Sequence, residues 1–85
     1  MTEVGVEDAW KRERVARLST TPILRAIENL PVRDAAQLLG VNIGTVVKWR
    51  ASEGSATVHY ARADRIAIRL GVHPAYMWGK EWWQI

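Results

Sequence analysis

The chain of 85 residues has no cysteine, which excludes disulfides, cysteine-liganded zinc and thiolate chemistry. Histidine is nearly as scarce. His59 and His73 stand 14 positions apart without an acidic cluster between them, so they read as capping, packing or surface residues rather than metal ligands. No apolar run approaches the ~18 residues of a membrane span, and the N-terminus is acidic, unlike a secretory signal. The expectation is a cytoplasmic protein without a membrane partner. Also missing are a glycine-rich phosphate loop and any nucleophile, base and carboxylate with compatible placement. Neither an enzymatic reaction nor a cofactor is expected.

Positive charge is present in modest excess, and its distribution is informative. Residues 1–31 hold five basic and five acidic side chains, whereas residues 32–85 hold seven and four. The formal +3 therefore lies entirely in the second segment, as a polyanionic partner for that segment would require.

The most organised stretch runs from Val32 to Ala51. Val32, Ala35, Ala36 and Leu39 recur at spacings of three and four, the period of one buried helix face. Gly40 interrupts the pattern with a residue suited to a left-handed turn, and Asn42 is placed to cap a second helix from Ile43 to about Arg50. In that helix Val46 and Trp49 point inward, leaving Ile43, Gly44, Val47 and Lys48 on or near the other side. This layout is a helix-turn-helix, and it suggests DNA binding.

Around this centre the pattern predicts an all-α bundle. Residues 1–19 form a partly helical N-terminal extension and residues 20–85 the DNA-binding domain. Met1 to Val6 has no pattern; Glu7 to Leu18 predicts a helix with acids early and bases late. Its Trp10 is a packing anchor or a partner surface, and Arg12, Arg14 and Arg17 are a phosphate-touching arm or an ordinary solvated face. Thr20 and Thr21 cap a helix opened by Pro22 and running from Ile23 to Asn29, with Ile23, Leu24, Ile27 and Leu30 inward. After a loop at Ser52 to Ser55, alternation from Ala56 to Tyr60 permits a brief extended segment. Tyr60 to Leu70 is helical, with Ala63, Ile66, Ala67 and Leu70 in one stripe and Arg62, Arg65 and Arg69 on another face, where nearby Asp64 reads as a surface ion-pair residue rather than a catalytic acid. Gly71 stops it, Pro74 opens a further turn, and Gly79 stops that. Trp78, Trp82 and Trp83 close the core from the C-terminal side or form a homodimer patch. Stacking on single-stranded nucleic acid is disfavoured, because only Lys80 is basic there.

These residues resemble small helix-turn-helix DNA-binding proteins of actinobacteria and their phages, broadly related to repressor and Cro-like domains. The resemblance covers Thr20 to Trp83 and is most specific from Val32 to Ala51: Ala36 at the helix crossing, Gly40 in the turn, Val41 after it, and Val46 and Trp49 inward. The run Ala63 to Ala67, then Leu70 to Pro74, and Trp78, is similar to the closing helices behind the motif in such phage proteins. The resemblance implies that Asn42, Ile43, Gly44, Thr45, Val47, Lys48 and Ala51 enter the major groove of double-stranded DNA. Lys48 can donate to guanine or phosphate, Thr45 can bond a phosphate or base edge, and Ile43 or Val47 can meet a thymine methyl. Arg33, Asn42 and Arg50 fit phosphate contacts, with Arg62 and Arg65 extending the positive surface.

The chain departs from the family where Ile43, Gly44 and Val47 replace the polar or basic residues common there. Phosphates, methyl contacts and DNA shape would then carry affinity and specificity. Three functions stay open. One is a phage or prophage repressor or Cro-like regulator acting as a homodimer on paired half-sites. The second is an excisionase or recombination-directionality factor. In the third, the scaffold binds a host or phage protein through Trp10, Ile43, Val47, Trp82 and Trp83.

Overall fold

The computed structural model describes residues 17–84. It is mostly helical, in the order β1 (Arg17–Ser19), α1 (Thr21–Ala26), α2 (Val32–Leu39), α3 (Ile43–Ala51), β2 (Thr57–His59), α4 (Tyr60–Leu70), α5 (Pro74–Trp78) and α6 (Lys80–Trp83). The predicted helices around the central stretch are present. The expected all-α architecture is corrected in one respect, since β1 and β2 form an antiparallel ribbon with Leu18 opposite Val58. Leu18 was expected at a helix end but is extended here, because pairing puts it and Val58 side by side in the core. The Arg17 guanidinium reinforces the ribbon, Nε donating to Thr57 Oγ1 at 2.8 Å and Nη2 to Thr57 O at 3.1 Å. The remainder of the predicted N-terminal helix, with Trp10, lies outside the described residues.

Helix α1 opens with Pro22, whose missing N–H is harmless in the first turn. Thr20 occupies the cap position without capping. Its hydroxyl instead donates to Ala56 O at 3.0 Å, and its own N–H reaches the same oxygen at 3.2 Å. The hydroxyl that meets the free helix donor is that of Ser19, which accepts from Thr21 N at 3.1 Å. The helix ends at Ala26, short of the Asn29 expected, yet Ile23 and Ile27 are fully buried and Leu24 and Leu30 pack beside them.

Ala35, Ala36 and Leu39 of α2 enter the core as their spacing requires. At Gly40 the backbone turns left-handed, φ 72°, and the N–H groups of Gly40 and Val41 both converge on Ala36 O. From α4 the core receives Ala63, Ile66 and Ala67. Both histidines act as caps: His59 Nδ1 accepts from Ala61 N at 3.2 Å and His73 Nδ1 from Ala75 N at 3.0 Å. Trp78 closes the core, buried and donating its indole N–H to Ser19 O at 2.8 Å. Among the described residues, no helix is long and apolar enough to cross a membrane.

Candidate nucleic-acid interface

Helix α3 is fixed by one side and open on the other. Val46 and Trp49, one turn apart, are buried in the same cluster as Ala36 and Leu39 of α2. Their burial sets the rotation of the helix, because neighbouring inward residues leave the opposite face no partner. Ile43, Gly44, Val47, Lys48 and Ala51 are exposed, and Thr45 is half-buried. Ile43 and Val47 remain 45% and 53% exposed, which makes them an apolar pair one turn apart on the outer surface. Gly44 completes this face with bare backbone: a methyl group built on it would meet nothing within 4 Å.

Asn42 stands at the cap position in extended conformation, but its side chain makes no capping bond. Only its carbonyl serves the helix, accepting from Thr45 N and Val46 N at 3.0 and 3.3 Å. The capping role expected for its amide is therefore corrected, and the amide is exposed at the helix entrance.

The arginines divide into two groups. Arg50, expected to clamp phosphate, turns inward: its Nη2 donates to Ile27 O at 2.8 Å and Leu30 O at 2.6 Å. Ile27 O lies at the C-cap of α1 and already accepts from Leu30 N, and Leu30 O lies in the connection to α2; the guanidinium adds a charged donor to both. Arg69 does the same for α2, with Nε donating to Leu38 O at 2.9 Å and Nη2 to Gln37 O at 3.0 Å. Sequence reasoning placed Arg69 only on a helix face, because nothing local reveals carbonyls 31 and 32 positions away.

The second group faces outward. Arg33 is exposed in the first turn of α2 and Lys48 on the outer face of α3. Arg62 holds its guanidinium 5.8 Å from the centre of the Trp49 ring, within cation–π range. Arg65 is exposed one turn further along α4. Arg62 and Arg65 come together beside the α2–α3 turn, where they line one cavity with Gly40 and Val41.

The C-terminal aromatics separate in the same way. Trp82 packs partly buried against the core, whereas Trp83 is 71% exposed with its ring stacked 5.8 Å from that of His73. Tyr76, which was not singled out from sequence, is still more exposed and lies with Met77, Val72 and Leu70 beside a groove of about 420 Å³. No group of three or more His, Asp or Glu residues among the described residues is placed to hold a metal ion.

The chain matches no protein-family model, no curated protein and no solved structure at a significant level.

Proposed function

We propose that the chain is a sequence-specific binder of double-stranded DNA, with α2, the Gly40 turn and α3 acting as a helix-turn-helix. The observation that carries this reading is the two-sidedness of α3: Val46 and Trp49 hold it rigidly while Ile43, Gly44, Val47, Lys48 and Ala51 face solvent. A helix presented in this way fits the major groove, which is about 12 Å wide. Lys48 donates to guanine O6 or N7, or to a phosphate, and Thr45 to a phosphate or base edge. Ile43 and Val47 meet thymine methyl groups. Arg33 and Asn42 take phosphates at the starts of α2 and α3, and Arg62 and Arg65 extend the contact. Arg50 is left out of this set because its guanidinium already serves the end of α1.

The corresponding role is that of a repressor or Cro-like regulator binding paired half-sites as a homodimer, without a catalytic step. An excisionase would use the same helix on repeated sites, and footprinting separates the two by showing one twofold operator or several tandem contacts. The exposed Ile43 and Val47 favour one further reading, a protein partner docking on α3. Selection of bound sites from a random duplex pool, followed by titration at two salt concentrations, tests the proposal. A recovered consensus whose binding weakens with salt is expected; no binding at low salt, or equal binding to every duplex, overturns it.

A further inference from the structure

Arg62, Arg65 and Arg69 recur three and four positions apart on α4 and form one wall of a cavity of about 220 Å³. The opposite wall is the α2–α3 turn, from Leu39 to Val41. No carboxylate among the described residues lines this space; Asp34 faces a separate cleft with Gln37 and Leu38, on another side of Arg69. Like charges at these helical spacings repel, and an interleaved acid normally relieves them. Asp64, the acid of α4, is half-buried and lies outside this lining, so within the cavity the three guanidiniums face no carboxylate.

Two of the three guanidiniums are already oriented. Arg69 is fixed by the carbonyls of Leu38 and Gln37, and Arg62 lies over Trp49. Arg65 is exposed at the mouth. The turn contributes no donors of its own through Gly40 and Val41, whose N–H groups are taken by Ala36 O. Recognition therefore falls to guanidinium forks, whose planar paired donors match the oxygens of a phosphate. The volume is ample for one such group with attendant waters, each of which needs about 30 Å³.

We propose that this cavity binds a single phosphate group, held by Arg62 and Arg65 over the fixed charge of Arg69. The assignment of that group to the DNA backbone, flanking the groove entered by α3, rests on the DNA-binding reading above. The phosphate site itself does not.

Titration with inorganic phosphate against chloride at matched ionic strength, followed by amide NMR, tests the site. Saturable shifts at Gly40 and Val41 that disappear in Arg65→Ala and persist in Lys80→Ala are expected. Absent shifts, or unsaturable shifts spread over all basic residues, overturn it. Arg65→Lys, which keeps the charge but loses the fork, should weaken the response even if the alanine variant folds poorly. On duplex DNA, Arg65→Ala should lower the slope of log affinity against log salt by about 0.9, the value for one lost phosphate contact. An unchanged slope beside an intact phosphate response refutes the DNA assignment and leaves a site for a free phosphoryl ligand. Failure of the wild-type protein to bind any duplex counts against the DNA reading alone.

Discussion

Replacing Gly44 by alanine should strengthen the fold and weaken the binding. Glycine in a helix is less favourable than alanine by about 0.5–1 kcal/mol, because the unfolded chain loses more freedom on ordering. Gly44 lies in the first turn of α3, where the backbone is less constrained, so the lower part of that range applies. No steric term opposes the gain, since the added methyl would meet nothing within 4 Å. For a domain of this size the gain corresponds to a rise in Tm of about 2–6 °C. The same methyl stands on the face that the proposal places against the bases, where glycine lets the backbone approach closely. A loss of about tenfold in affinity, or ~1.4 kcal/mol, is expected on a selected duplex. Thermal unfolding by circular dichroism and fluorescence anisotropy give the two quantities separately. A lowered Tm would refute the open surroundings of Gly44. A raised Tm with unchanged affinity would refute close approach of this face to DNA.

Three other substitutions probe different parts of the argument. Lys48→Ala removes an exposed side chain and should leave the stability within about 0.5 kcal/mol of wild type. A base contact would appear as about 1–3 kcal/mol of lost discrimination in competition binding, a phosphate contact as a uniform loss with a shallower salt slope. Arg50→Met removes both bonds to Ile27 O and Leu30 O and should destabilise by about 2–3 kcal/mol in urea, an unchanged midpoint contradicting its role at the end of α1. Trp78→Phe keeps most of the ring but strands Ser19 O, so a loss of about 1–3 kcal/mol is expected in the same assay, and a neutral result would count against that tie.

The central stretch was legible because its signals are local. The period of Ala35, Ala36 and Leu39, the break at Gly40 and the inward pair Val46 and Trp49 each involve residues within a few positions of one another. Partners distant in sequence were not legible. Leu18 follows a helix-like run of apolar and basic residues, yet Val58, 40 positions later, draws it into an extended pair. Tertiary pairing outweighs local propensity there. Thr20 has the chemistry of a cap, but Ala56 O takes its hydroxyl and Ser19 supplies the capping oxygen. The arginines show the same limit in the candidate interface. Arg50 and Arg62 read alike as surface cations, and only the path of α1 decides that one faces inward to backbone oxygens. The apolar outer face of α3 was visible from the start, since it follows directly from the rotation that Val46 and Trp49 impose.

The bond from Trp78 to Ser19 joins positions 59 apart. During synthesis the chain emerges from its N-terminus, and residues 32–51 leave the ribosome well before Trp78 does. Their helices, eight and nine residues long, are too short to persist alone, but they are close in sequence and can pack on each other once both have emerged. The strand at residues 17–19 must nevertheless wait, first for β2 and then for the indole that seals its last carbonyl. Until then the exposed Leu18 is an apolar residue without a place, available to chaperones or to neighbouring nascent chains. Completion of the domain is thereby timed by its C-terminal segment, although the residues proposed to read DNA are made long before.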